Sequence, residues 1–215
     1  MVAIIKGDII GSRKLEDPQQ WLHPFKELLS EWGDSPLHWE IVWGDSFQLE
    51  LDNPEKALKK ALRIKALIKK ITPKKGNKNI SPIDVRMAIG IGEKIYTGDR
   101  VSESNGPAFI YAGEKFEFLR QKKSNLLIQS PWPEFDQEIN LYLKLAGTIM
   151  DNWSVSSAEL MEIVLKKPDA SQNEIGRLLG ITQNSVSGRW HRAKGDEILE
   201  VEERYRLRWR QYSEV

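Results

Sequence analysis

Hydrophobic and polar positions repeat along the chain in two different ways. From residue 2 to about 130, period-two runs typical of strands take turns with amphipathic runs typical of helices. After about residue 133 only the helical pattern remains. The first strand is predicted in VAIIKGDII and the first helix in DPQQWLHPFKELLSEW, where Asp17 and Pro18 suit the N-cap and the first turn.

A hairpin is predicted in LHWEIVWGDSFQLEL, because Trp39, Ile41 and Trp43 alternate before a Gly-Asp turn and apolar residues alternate again from Phe47 to Leu51. The rest of this region is predicted as a lysine-rich helix (NPEKALKKALRIKALIKKI), a polar loop (PKKGNKNIS), a strand (IDVRMAIGIGE), a helix (PAFIYAGEKFEFLRQK) and a strand (NLLIQS). That order contains the ferredoxin-like β-α-β-β-α-β core. We therefore expect an α+β fold with an antiparallel sheet.

The proline-rich segment SPWPEFDQ predicts a domain boundary. It divides the chain into an α+β domain over residues 1–131 and an all-α domain over residues 132–215. In the second domain helices are expected near 134–150, 154–166, 171–179, 183–194 and 195–212.

Composition narrows the classes of function. The 215 residues carry a formal net charge of +1, so any contact with nucleic acid must come from a local patch. Cysteine is absent, which excludes disulfides and thiolate metal sites. No signal peptide or membrane span is predicted, and we expect a cytoplasmic protein without a membrane partner.

Two aspartates predict a site at one end of the sheet. Asp8 ends the first strand, Asp45 lies in the hairpin turn, and a ferredoxin-like sheet places that hairpin beside the first strand. Paired carboxylates suit Mg²⁺ bound to phosphate oxygens and water. The turn at Gly11, Ser12 and Arg13, directly after Asp8, offers backbone N–H groups and a helix N-terminus to a phosphate. Taken singly, Asp45 is typical of a hairpin turn and Asp8 of a cap.

Four segments in this order resemble the class III nucleotidyl cyclase domain: GDIIGSR, GDSFQLEL, VRMAIGIGE and NGPAFIYAGEKFEFL. The similarity covers roughly residues 2–130. It implies that Asp8, Asp45 and the Ile9 carbonyl hold Mg²⁺ or Mn²⁺, while the Gly11 and Ser12 amides contact phosphate.

The chain departs from the cyclase pattern at two positions. Ile110 and Glu114 stand where that family has the Asn and Arg that stabilise the transition state. An anion at a place where negative charge develops disfavours cyclisation by the usual route. Binding of a metal–nucleotide remains compatible with the other residues, and an active enzyme would need other cations such as Arg86, Lys94 or Lys115.

The segment SQNEIGRLLGITQNSVSGRW has the apolar and glycine spacing of a helix-turn-helix, here at 171–194. Ser171 and Glu174 form a predicted capping box, and Thr182 caps the second helix. The residues expected to contact DNA bases or phosphates are Gln183, Asn184, Ser187, Arg189, His191, Arg192 and Lys194. The alternative is a helical hairpin that only packs or dimerises.

The combination of the two parts resembles the SatD family, through GDIIGSRKL and NEIGRLLGITQNSVSGRWHRA. We expect a DNA-binding transcriptional regulator whose degenerate cyclase-like domain senses a nucleotide. We also expect a homodimer, because cyclase-like domains and helix-turn-helix proteins both typically dimerise. Two other functions stay open: an active metal-dependent nucleotidyl cyclase or transferase, and a non-catalytic interaction module.

Overall fold

The computed structural model describes residues 1–72, 83–122 and 124–214, so the polar loop predicted at PKKGNKNIS lies outside the described residues. Within these ranges the fold is mixed α+β. The strands are β1 (Val2–Ile10), β2 (Trp39–Val42), β3 (Ser46–Leu51), β4 (Asp84–Gly92) and β5 (Leu126–Gln129). The helices are α1 (Gln19–Ser30), α2 (Ala57–Lys69), α3 (Pro107–Gln121), α4 (Pro133–Met150), α5 (Val155–Lys166), α6 (Gln172–Leu179), α7 (Gln183–Ala193) and α8 (Gly195–Ser213).

The five strands form one sheet in the order β2-β3-β1-β4-β5. The predicted antiparallel arrangement is correct for β1 with β3, β1 with β4 and β2 with β3, and wrong for β5, which runs parallel to β4. The parallel pairing follows from the connection, because the chain between β4 and β5 passes through α3 and so crosses back before it pairs. The sheet is therefore mixed.

Helices cover both faces of the sheet. Residues of β1 alternate between the faces, so Ile5 packs in the core with α1 and α2, while Ile4 packs against Ala108 and Ala112 of α3. A Cβ atom at Gly90 of β4 would lie 2.1 Å from the Ala108 carbonyl oxygen. Glycine at this position therefore lets α3 lie directly on the sheet.

One hydrophobic cluster crosses the predicted boundary between residues 131 and 132. It joins sheet residues such as Met87 to Phe135 of α4, Met161 of α5 and Tyr205 of α8. The Tyr205 hydroxyl also donates a 2.6 Å hydrogen bond to the Pro54 carbonyl. Helices α4, α5 and α8 thus share a core with the sheet, and the division into two domains stays a prediction.

The outer edge of β5 is capped by a side chain. Asn140 of α4 accepts a hydrogen bond from the Ile128 amide and donates one to the Ile128 carbonyl, both at 2.8 Å. The amide group of Asn140 thereby satisfies one backbone pair that an edge strand would leave open to another chain.

A buried ionic cluster ties α2 to β4 and to the end of α4. Lys65 is 2% exposed, and its Nζ atom lies 2.6 Å from Asp84 and 2.5 Å from Asp151. Lys69 donates to the Asp151 carbonyl at 2.7 Å, and Asn125 donates to the Asp151 carboxylate at 2.9 Å. Both buried ammonium groups, of Lys65 and Lys69, therefore have partners, as burial of a charge requires.

Candidate functional site

The structure brings Asp8 and Asp45 together at the end of β1. Asp8 pairs with Ser46 across β1 and β3, and the Ile9 amide donates a 3.0 Å hydrogen bond to the Asp45 carbonyl. The prediction that the hairpin lies beside the first strand is therefore correct. It holds because β3 pairs with β1 along the whole length of β3.

The Asp8 carboxylate has few hydrogen-bond and ion-pair partners among the described residues. Its Oδ1 atom is buried with no hydrogen-bond partner among the described residues, and its Oδ2 atom lies 3.8 Å from the Arg86 guanidinium. Burial raises the pKa of the Asp8 carboxyl above its ordinary value, the Arg86 charge opposes that rise, and the Asp45 charge adds to it. A cation shared by Asp8 and Asp45 would relieve both the burial and the repulsion.

The turn after β1 is fastened to the hairpin. Ser12 Oγ donates a 2.8 Å hydrogen bond to Asp45 Oδ2, and Gly11 has a φ of 79°, a backbone conformation that glycine adopts readily. A single 3₁₀ turn, Ser12–Lys14, follows. The helix N-terminus expected directly after Asp8 is therefore wrong, because α1 begins only at Gln19; Arg13 is exposed in the short turn.

The donor set fits one divalent cation bound with further ligands from outside the chain. Among the described ranges, no three or more His, Asp or Glu side chains converge in a way that could hold a metal. Asp8, Asp45 and the Ile9 carbonyl would supply the protein oxygens. Mg²⁺ is commonly held by one or two carboxylates together with water and substrate phosphates, so two carboxylates are sufficient.

Two arginines lie close enough to influence Asp8. Arg86 is its cross-strand neighbour on β4, and the charge of Arg120 at the end of α3 also lowers the pKa of Asp8. The sequence indicates Arg86 as a candidate cation but gives no sign of Arg120. Only the path of α3 along β1 brings Arg120 near Asp8, and no short motif signals that path.

Four other candidate positions have partners or surroundings that do not involve Asp8 or Asp45: Ile110, Glu114, Lys94 and Lys115. Ile110 is exposed on α3, and Glu114 accepts a 3.2 Å hydrogen bond from Gln129. Lys94 is held by Glu50 at 2.8 Å, and the Lys115 ammonium lies 5.6 Å from the centre of the Phe118 ring. Lys94 therefore already neutralises a buried carboxylate.

Trp43 occupies the hairpin turn and not the strand position that its alternation with Trp39 and Ile41 predicts. Trp43 and Gly44 have φ values of 50° and 87°, and β2 ends at Val42. Positive φ at both central residues is typical of the tight turns that join antiparallel strands. The Trp43 side chain is 93% exposed, two residues before Asp45.

The helices α6 and α7 form a compact pair on α5. Ser171 and Glu174 make the predicted capping box, and the Thr182 side chain caps α7 by accepting from the Ser185 amide. Buried Ile175 and Val186 pack with two residues of α5 in a small hydrophobic cluster. This packing fixes which face of α7 is turned to solvent.

The residues predicted to contact DNA fall into two groups. Gln183, Asn184, His191 and Arg192 are exposed on α7, and Ser187 is partly exposed. The remaining two are already paired: Arg189 lies 2.9 Å from Glu159 of α5, and Lys194 lies 3.2 Å from Glu197. The structure therefore leaves an uncharged polar surface with Arg192 beside it, and Arg189 holds α7 to α5.

Comparison with known families identifies the chain. The sequence model described as the SatD family matches residues 1–198, and the protein belongs to that family. Comparison with the curated proteins finds no match. In the part of the chain that the structure describes, no helix is both long enough and apolar enough to cross a membrane.

Proposed function

We propose that this SatD-family protein is a DNA-binding transcriptional regulator of the cytoplasm, with a nucleotidyl cyclase-like domain that binds a metal–nucleotide. The observation that carries the proposal is the solvent-exposed face of α7, where Gln183 and Asn184 lie at the first turn and His191 and Arg192 at the last. Amide side chains at the start of a helix can read base edges, and an arginine can contact phosphate.

The geometry of α6 and α7 supports a helix-turn-helix interpretation. Gly180, with a φ of 65°, ends α6, and a Cβ atom at Gly176 would lie 2.8 Å from the Ile181 carbonyl oxygen. A small residue at the helix crossing and a glycine at the turn are features of this motif. In that interpretation α7 is the helix that enters the major groove.

The sheet order supports the cyclase-like interpretation of the first domain. The run β1-α1-β2-β3-α2-β4 forms the order β2-β3-β1-β4, which places β1 at the centre as in a ferredoxin-like core. When bound, Mg²⁺ or Mn²⁺ would supply positive charge for the nucleotide phosphates. Asp8, Asp45 and the Ile9 carbonyl would hold it, and the amides of the Gly11–Arg13 turn would face the phosphates.

We infer that the site at Asp8 and Asp45 binds a metal–nucleotide but does not cyclise it by the usual cyclase route. Glu114 carries a negative charge and Ile110 carries none, so neither can stabilise negative charge on a transition state. One observation favours an active enzyme as a second candidate: Arg86 and Arg120 both act on Asp8 and could take that role. A homodimer is part of the first proposal, because helix-turn-helix proteins commonly read paired half-sites.

The direct test is selection of bound fragments from sheared genomic DNA by the full-length protein, followed by sequencing. The expected result is enrichment of a defined site by the parent protein and by a control, Lys144→Gln at an exposed position of α4, and weaker enrichment with Asn184→Ala. Equal recovery of all fragments by the parent protein would remove the DNA-reading function.

A further inference from the structure

A cleft of about 900 Å³ lies where α2 meets α5 and α8, on the side of the sheet opposite to Asp8. It therefore lies between α2, which packs on the sheet, and the helices α5 and α8. Small-molecule sites often occur where two parts of a protein meet. Its lining includes Trp32, Lys56, Lys59, Lys60, Arg63 and Leu199.

Positive charge remains unpaired on the α2 side of this cleft. Within the described ranges, no carboxylate oxygen lies within 4.0 Å of the ammonium groups of Lys56, Lys59 or Lys60. The arginines of the opposite side are neutralised: Arg206 lies 3.0 Å from Glu202, and Arg210 lies 2.5 Å from Glu55. The lysines are therefore the charges that a ligand could satisfy.

Lys60 is the most constrained of the three. Its Nζ atom lies 4.4 Å from the centre of the Trp32 ring, and the Arg63 guanidinium carbon lies 5.2 Å from the same ring. Burial, with the nearby charges of Arg63 and Lys56, lowers the pKa of Lys60 to about 8. A bound anion would offset this repulsion.

We propose that the cleft binds a small phosphate-bearing molecule through Lys56, Lys59 and Lys60. A compact anion fits better than a nucleic-acid backbone, because the α8 side of the cleft carries Glu200 and Glu203. These carboxylates would repel an extended polyanion that filled the cleft but leave room for a ligand seated against α2. The site is distinct from the one at Asp8 and Asp45.

Inorganic pyrophosphate is the probe, titrated calorimetrically into the full-length protein at pH 7 in metal-free buffer. Without divalent cations the site at Asp8 and Asp45 cannot form its metal complex, so the two sites are tested separately. The expected result is binding at one site per chain. Lys60→Gln and Lys56→Gln should each weaken it by about tenfold or more, as expected for loss of one charge-assisted contact.

One control makes the result specific. Lys144→Gln, at an exposed lysine of α4, should leave the affinity for pyrophosphate unchanged. The proposal is overturned if the parent protein binds no pyrophosphate, or if Lys60→Gln and Lys56→Gln both bind it as tightly as the parent. It is also overturned if these variants lose affinity only for DNA, since the cleft would then be part of the DNA surface.

Discussion

Ser12 donates a hydrogen bond of 2.8 Å to Asp45, and this contact joins the turn after β1 to the β2–β3 hairpin. The two segments are 33 residues apart in the chain. The bond occupies Oδ2 of Asp45 and fixes the orientation of its carboxylate beside Asp8. The end of the central strand is thus organised around two carboxylates, and the buried Oδ1 atom of Asp8 has no hydrogen-bond partner among the residues that the structure describes.

Asp8→Asn should abolish stabilisation by a metal–nucleotide. With the ligand at 100 times its Kd, binding to the native state alone contributes about 2.7 kcal/mol. For a chain of this length, this should raise Tm by about 2–4 °C for each kcal/mol. Thermal unfolding with Mg²⁺ and each nucleoside triphosphate measures the shift. Asp52→Asn, at an exposed position, is the control and should respond like the parent.

Asp8 should also leave a signature in the pH dependence of stability without metal. Its pKa in the folded state is raised above the ordinary value of 3.8, so the native state holds the proton more tightly than the unfolded state. The contribution of Asp8 to stability is therefore favourable at low pH and is lost as pH rises from 3.8 through the folded-state pKa. Urea unfolding from pH 3.5 to 7 should show this loss for the parent and not for Asp8→Asn. Identical pH profiles would contradict the prediction.

Much of this site follows from sequence patterns, but the position of Arg120 does not. The alternation in VAIIKGDII and in the hairpin defines three strands, and the ferredoxin-like order predicts that the hairpin pairs with β1, which brings Asp8 and Asp45 together. Arg120 reaches Asp8 through the packing of a whole helix. The alternation with Ile41 predicts a strand position for Trp43, and this is wrong because Trp43 has a φ of 50° and lies in the turn after Val42.

In α6 and α7, too, the sequence predicts features that depend on nearby residues and misses those that depend on distant ones. Helix boundaries follow from caps at Ser171 and Thr182, which lie within a few residues of the groups they satisfy. The pairing of Arg189 with Glu159 joins residues 30 positions apart. The spacing of the motif indicates that α7 has an exposed face but cannot indicate which of its cations another helix will neutralise.

Asn140→Leu should destabilise the protein by about 1–3 kcal/mol, since it leaves the Ile128 amide and carbonyl without partners beside α4. Chemical denaturation measures the change in the free energy of unfolding. Gln137→Leu, at an exposed position one turn earlier, is the matched control and should change stability by less than about 0.5 kcal/mol. Equal effects of the two variants would show that the edge contact contributes nothing.

Lys65→Ala should be more damaging than any surface substitution, because it leaves Asp84 and Asp151 without their shared cation. Breaking a buried ion pair by removing one partner typically costs about 3–5 kcal/mol. Lys65→Met tests the role of the charge alone, since the long side chain is kept. A loss below about 1 kcal/mol in both variants, measured by urea unfolding, would mean that the cluster is solvated in solution.

Arg192→Gln and Asn184→Ala should affect DNA binding in different ways. Arg192→Gln removes a phosphate contact, which should weaken binding to all DNA sequences and lower the magnitude of the slope of log K against log salt by about 1. Asn184→Ala removes a base contact, which should weaken the free energy of binding by about 1–3 kcal/mol and relax the preference for one base pair. Fluorescence anisotropy with the selected DNA and with single-base variants separates the two, and identical behaviour of both variants would argue against α7 as the reading helix.

We propose that binding of a metal–nucleotide at Asp8 and Asp45 changes the affinity of α7 for DNA. The most direct measurement is the Kd of the full-length protein for its selected DNA, determined with and without Mg²⁺ and an equimolar mixture of the four ribonucleoside triphosphates. The account predicts that the nucleotides change the Kd of the parent by about fivefold or more, the lower end of typical allosteric coupling, and leave that of Asp8→Asn unchanged. A Kd that does not respond in the parent protein, or that responds equally in Asp8→Asn, would contradict it.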